Sequence, residues 1–312
     1  MTALSMRNPT VFGAVNALIG VFAFSINDMI IKGLSGGYAL HQIILFRSGF
    51  AMILMLAFLV PFSGGLSVFR TSRPVMHLWR GILVVLSNFA FFLGLASLPL
   101  AEAVAIFFVC PLISTAMSVV FLGEKVGPRR WASVVIGLVG VLIIVRPGSE
   151  AFQAASLYPL AAAVCSAGMQ NITRRIGGTE SATTLAIYIQ ASFLVTSLAA
   201  GLAFGGGQFA DQSDPSLAFM FRGWIWPPVM DWLILCLVGL ASASGGYFTA
   251  RAYRATDVAL VSSFEYASLP MALIWGFVIF SEWPGPMEMI GMALILGAGL
   301  FLVWREAQTR LR

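Results

Sequence analysis

Ten long apolar stretches follow one another along this 312-residue chain, and basic residues alternate between the gaps that separate them. The stretches fall at Val11–Ile31, Leu40–Val60, Met76–Ser97, Ala101–Leu122 and Trp131–Val145, then at Leu157–Ile176, Thr183–Phe204, Trp232–Tyr253, Val258–Phe280 and Met287–Trp304. A helix of about 20 apolar residues crosses a hydrocarbon core of about 30 Å. Only helices can do this repeatedly, because lipid offers no partner to an unpaired backbone N–H or C=O. The pattern predicts an all-α integral membrane protein of ten transmembrane helices.

Hydrophobic residues make up 59% of the chain and charged residues 10%, against about 25% charge in a soluble domain. The longest gap, Gly205–Asp231, is too short to fold alone, so no soluble catalytic module is expected. The net charge of +5 is scattered over short loops, where it reads as topology signal and headgroup contact; nucleic acid is not an expected partner. Cys110, Cys165 and Cys236 all fall inside stretches with no metal-ligand spacing, so no metal, disulfide or cofactor is expected. The first stretch is too long for a signal sequence and ends in Asn27-Asp28 with no small-residue cleavage site, so it reads as a retained span.

Numbering the gaps alternately puts 14 of the 18 Lys and Arg on one side, among them Arg70, Arg73, Arg80, Arg129, Arg174 and Arg251. The other side holds Lys32, Arg146 and Arg222, and Arg47 lies inside a stretch. This bias places both termini in the cytoplasm, and that in turn requires an even number of spans.

The two halves resemble each other. Pro111 is followed 13 residues later by Glu124, and Pro270 is followed 12 residues later by Glu282; the prolines are offset by 159 and the glutamates by 158. Glycine-bearing stretches follow, with Gly137 and Gly140 in one half and Gly291, Gly297 and Gly299 in the other. Residues 1–150 and 151–312 therefore read as two five-helix repeats. An odd number of spans per repeat inverts the second against the first, an arrangement that places a substrate site near the midplane at the repeat interface.

Asn27-Asp28-Met29-Ile30-Ile31-Lys32, Phe46-Arg47 and Leu98-Pro99-Leu100-Ala101-Glu102-Ala103 follow one another along the first half. Leu122-Gly123-Glu124 with Arg129-Arg130-Trp131, then Arg146-Pro147-Gly148, Ala252-Tyr253-Arg254 and Phe264-Glu265-Tyr266 continue the series. Through these segments, in this order, the chain resembles the EamA-type drug/metabolite transporter superfamily. The resemblance implies solute transport across a bacterial inner membrane without ATP. The pattern looks most like the subgroup of riboflavin and S-adenosylmethionine importers. Riboflavin uptake is the first expectation, followed by S-adenosylmethionine uptake, then amino-acid or metabolite export.

A charge within a span marks a functional hypothesis, and three qualify: Asp28, Arg47 and Glu265. At about 1.5 Å of rise per residue, Asp28 lies about 5 Å and Arg47 about 10 Å below the outer boundary. Lys32 is one turn above Asp28, so Asp28, Arg47 and Lys32 can form one cluster. Arg47 reads either as a structural partner of Asp28 or as a receiver of a substrate oxygen or anion, a planar partner suiting arginine. Glu265 reads either as a proton-coupling or substrate-binding acid, or as the partner of Arg251. Shifting Asp28 by 142 or 143 lands on Gln170 or Asn171, whereas Arg47 maps onto Ile189 or Gln190 and Glu265 maps back onto Phe107 or Ile106. Arg47 and Glu265 thus break the internal symmetry, which substrate asymmetry would explain.

Further candidates are Asn88, Phe91 and Phe92 in the third stretch, Phe107 and Phe108 in the fourth, and Tyr188 and Gln190 in the seventh. Tyr247, Tyr266 and Trp275 complete the set. Midplane aromatics can sandwich a flat heterocycle while amides bond its edges. Packing against lipid or neighbouring helices is the alternative for each. Trp224, Trp226 and Trp232 read as an interfacial belt. No catalytic constellation appears, and His41 and His77 lie at stretch edges on opposite sides, so an enzyme acting on lipid is not expected. A membrane scaffold is the remaining rival, but it would not need symmetry-breaking charges.

Overall fold

The computed structural model describes residues 9–61, 65–123, 127–176, 180–255 and 258–310. Thirteen α-helices appear among them, and no strand. The first half contains α1 (Pro9–Leu34), α2 (Leu40–Leu54, extended by a π turn over Met55–Leu59), α3 (Pro74–Ser97), α4 (Leu100–Phe107), α5 (Cys110–Leu122) and α6 (Pro128–Val145). The second contains α7 (Leu157–Ile176), α8 (Ala182–Phe204), the short α9 (Pro215–Phe221), α10 (Val229–Ala255), α11 (Val258–Glu265), α12 (Ser268–Phe280) and α13 (Pro286–Arg310). Five helices open on proline, at Pro9, Pro74, Pro128, Pro215 and Pro286, where the missing N–H would have had no helical acceptor anyway. Among the described residues nine spans are long and apolar enough to cross a bilayer. The chain is a multi-pass α-helical membrane protein.

Two of the expected spans are broken where the sequence showed one apolar run. The fourth stops at Phe107 and restarts at Cys110; the ninth stops at Glu265 and restarts at Ser268. Proline is the cause in both. Pro111 and Pro270 cannot donate to Phe107 and Tyr266, and their rings crowd those carbonyls. The Tyr266 carbonyl instead accepts the Leu269 N–H at 3.2 Å, and the Ser268 hydroxyl donates to the Glu265 carbonyl at 3.0 Å. The second half of each broken span ends on a left-handed residue, Gly123 (φ 69°) and Ser281 (φ 55°). Glu124 lies outside the described residues.

Helix pairs close on small residues, as expected where lipid removes any hydrophobic drive between helices. A Cβ built at Gly140 on α6 would lie 2.9 Å from the Gly291 carbonyl oxygen on α13, and one at Gly291 would lie 2.7 Å from the Gly140 oxygen. Gly94 on α3 admits the Pro159 ring of α7, and the Ser87 hydroxyl donates to the Ala162 carbonyl at 2.8 Å between the same helices. Gly20 on α1 faces Thr249 on α10.

At one end of this framework Arg80 lies within α3 rather than in a loop. It is buried, and its Nε donates to Thr173 Oγ1 of α7 at 2.8 Å. Glu180 accepts the Thr71 hydroxyl at 2.7 Å, and that bond holds its carboxyl below the usual range. At the other end the loop before α10 is strapped to the start of α2. Trp224 Nε1 donates to His41 Nδ1 at 2.6 Å, and Gln42 Nε2 donates to the Ile225 carbonyl at 2.6 Å. Trp224 also packs its ring against Gly201 while remaining 37% exposed, and Trp226 is 84% exposed.

Candidate functional site

The helix breaks meet at a cavity of about 300 Å³ inside the bundle, the lower end of the range that holds a drug-sized ligand. One face of α1 lines it through Val21, Phe24, Ser25 and Asp28, an i, i+3, i+4, i+7 stripe. Ser87, Asn88, Phe91 and Phe92 line it from α3. The first break contributes Phe107, Phe108, Cys110 and Pro111, and the second contributes Glu265 and Ser268. Arg47, Gln170 and Thr249 close the remaining sides.

Arg47 is a buried basic residue on this lining. Its guanidinium donates to Asn88 Oδ1 at 2.7 Å and sits over two rings, Phe193 at 5.1 Å and Phe92 at 5.5 Å. Ring faces attract a cation and fix the guanidinium plane. Among the described residues no carboxylate lies within 4.0 Å of Arg47, Asp28 included. That contact uses one of the five N–H donors an arginine carries. Asp28 instead accepts from Asn27 Nδ2 at 3.0 Å.

The structure separates Lys32 from this cluster. Its ammonium lies 2.8 Å from Glu282 and donates to the Leu95 and Leu98 carbonyls. The α1 stripe explains why: Asp28 faces the cavity, while one turn further the lysine reaches the ends of α3 and α12. Arg251 is likewise not the partner of Glu265. It stacks on Phe12 at 4.8 Å and Tyr247 at 5.9 Å, and Glu265 accepts the Tyr253 hydroxyl at 2.7 Å.

Nine of the fifteen candidates line the cavity: Asp28, Arg47, Asn88, Phe91, Phe92, Phe107, Phe108, Gln170 and Glu265. Trp275 stands one residue behind, donating to the lining Ser25 Oγ at 3.1 Å. The others lie elsewhere. Asn171 is spent on the Ser114 and Ala167 carbonyls, and Tyr188 stacks on His77 at 4.3 Å and bonds the Phe69 carbonyl. Tyr247 is 47% exposed on α10, and Tyr266 packs on Phe108 at 5.0 Å. Gln190 is outside the lining, so the position matched to Arg47 in the other half does not reach the cavity. Among the lining residues missing from the sequence set, Phe24 and Ser25 share a helix face with Asp28; extending that candidate by its helical period finds them.

A largely apolar cavity that carries a few charged and amide groups lies among membrane spans at two interrupted helices, the class of arrangement found in membrane transporters. Residues 11–146 match the model of the EamA-like transporter family. The chain is 32% identical to a riboflavin transporter of Rhizobium johnstonii, over 95% of this chain and 92% of that one. It is 26% identical to an S-adenosylmethionine uptake transporter of Rickettsia prowazekii, over 94% and 92%. A solved crystal structure shares the fold at 20% identity with a TM-score of 0.58, covering 96% of this chain and 98% of the other. This protein belongs to the EamA-like transporter family.

Proposed function

We propose that this chain is a secondary transporter that takes up a small planar heterocycle, riboflavin first, across a bacterial inner membrane. The cavity carries the reading. Phe24, Phe91, Phe92, Phe107 and Phe108 offer ring faces, while Arg47, Asn88 and Gln170 offer donors and acceptors at the same site. A flat, edge-polar solute is what such a lining recognises. The 32% identical relative named for riboflavin supports the choice. A second reading, uptake of S-adenosylmethionine, is favoured by the two carboxylates Asp28 and Glu265 on the lining, which suit a cation, and by the relative so named. Expression in riboflavin and S-adenosylmethionine auxotrophs separates the two. Rescue of the riboflavin auxotroph at low external vitamin is the expected result; rescue of the other strain alone moves the assignment, and rescue of neither sinks both.

The architecture proposed for this function is ten spans in two inverted repeats, residues 1–150 and 151–312, with both termini cytoplasmic. Helix α7 is 20 residues long, about the length that spans a bilayer, and serves as the tenth crossing. The breaks at Phe108–Val109 and Tyr266–Ala267, like the left-handed caps Gly123 and Ser281, are offset by 158 residues, which supports the repeat. A cysteine placed at Ser72 should stay unlabelled by an impermeant reagent in intact cells and react after permeabilisation. Labelling in intact cells reverses the orientation.

Glu265 is proposed as the coupling acid. It lines the cavity with a neutral hydroxyl as partner, and no Lys, Arg or His lies within 4.0 Å of it among the described residues. Intramembrane acids of this kind carry protons in transporters. Glu265→Gln should still bind substrate but lose the response of accumulation to an imposed proton gradient in vesicles. A parent that ignores the gradient excludes the role, and a variant that responds like the parent moves it to Asp28.

A further inference from the structure

Three cavity-lining elements run one helical turn past the cavity and meet at a single pair of charges. Lys32 follows Asp28 by four residues on α1, Leu95 follows Phe91 by four on α3, and Leu100 precedes Val104 by four on α4. Lys32 Nζ lies 2.8 Å from Glu282 Oε1 and donates to the carbonyls of Leu95, at 3.3 Å, and Leu98. The other carboxylate oxygen, Oε2, accepts the Leu100 N–H, the first of α4, at 2.9 Å. The Phe280 ring lies 5.2 Å from the ammonium. Each of the three N–H donors of a lysine has an acceptor here.

Glu282 sits in the turn that ends α12, directly after the left-handed Ser281, and its own N–H is held by the Gly276 carbonyl at 2.8 Å. A non-glycine residue in that conformation is strained and persists where its surroundings fix it. Helices α4 and α12 pack against each other, and each is joined to the rest of its span through one of the two breaks. A largely buried ion pair is a poor source of stability, because desolvation offsets its attraction; its best-attested use is as a switch or register device.

We propose that Lys32 and Glu282 are gate residues of the transport cycle: their clasp across α1, α3, α4 and α12 closes the cavity at this end, and its separation admits substrate from that side. This rests on the transport reading above. The topology assigned there makes it the outer gate. Closure comes from the clasp and not from a fixed wall, because short helix segments hinged at Phe108–Val109 and Tyr266–Ala267 can part once the pair is broken.

Thiol accessibility tests the gate without needing a substrate. Cys165→Ala and Cys236→Ala leave Cys110, which lines the cavity, as the reporter, and Ser268→Cys in the same background supplies a second. An impermeant maleimide is applied to right-side-out and to inverted vesicles. Lys32→Ala and Glu282→Gln should label about ten-fold faster than the parent from the outer face and no faster from the inner one, while Lys32→Arg keeps the parent's protection. Unchanged outer labelling in Lys32→Ala overturns the gate; so does acceleration from both faces, which marks a loosened fold. If either variant fails to reach the membrane, Lys32→Gln and Glu282→Asp are read by the same criterion. A shift in labelling with no uptake of either solute would leave the gate standing and remove the transport assignment instead.

Discussion

Arg47→Ala should abolish uptake while leaving the protein in the membrane at the parent's level. The guanidinium borders the cavity, spends one side-chain hydrogen bond on Asn88, and lies over the rings of Phe92 and Phe193. A side chain fixed this way presents its remaining donors to a ligand at little further cost in ordering. Truncating one partner of a buried, charge-assisted contact costs about 2–5 kcal/mol, so uptake below saturation should fall by about 30-fold or more. Arg47→Lys should fall between parent and alanine, because an ammonium keeps the charge but loses the planar fork. Initial uptake rates, normalised to membrane-embedded protein, measure both. The rival is that Arg47 only balances Asp28. If Arg47→Ala combined with Asp28→Ala restores full uptake, the arginine is a structural partner and the binding role is withdrawn.

Gly140→Val should leave little folded protein to assay. The α6–α13 contact is backbone against backbone: the Gly140 and Gly291 carbonyls each stand within 2.9 Å of where the other residue's Cβ would be. A peptide group cannot swing aside as a side-chain tip can. The two helices must separate, losing the close contact that substitutes in lipid for hydrophobic burial. Overpacking costs about 1–3 kcal/mol for modest insertions in soluble cores, and a branched side chain placed between two main chains lies at the upper end. Size-exclusion profiles and thermal unfolding in mild detergent give the readout. Gly297→Ala on α13, the partner helix, is the control, since a Cβ there meets nothing within 4 Å, and it should behave like the parent. Equal profiles for Gly140→Val and the parent would show that this crossing does not hold the bundle together.

The sequence by itself determined that this is a membrane-spanning bundle. Lipid gives an apolar helix nowhere else to go, and backbone hydrogen bonding forbids other elements. Asp28, Arg47 and Glu265 were legible as cavity residues for a related reason: a charge in a span is too costly to face lipid. Pro111 and Pro270 were legible as matched landmarks. That they cut their spans in two was not, because hydropathy is blind to a missing N–H inside an apolar run.

What only the tertiary structure decided is which partner each charge takes. Lys32 and Asp28 are one turn apart on α1, and periodicity groups them. The bundle gives Asp28 to the cavity and Lys32 to Glu282, 250 residues further along the chain. Arg251 goes to ring faces and Glu265 to a hydroxyl. Tyr188, Tyr266 and Asn171 have the residue types of a binding site, yet the fold uses them against His77, Phe108 and Ser114. Depth along a span follows from counting residues. Direction around the helix toward a particular neighbour depends on how ten or more segments pack together, and no single segment encodes that.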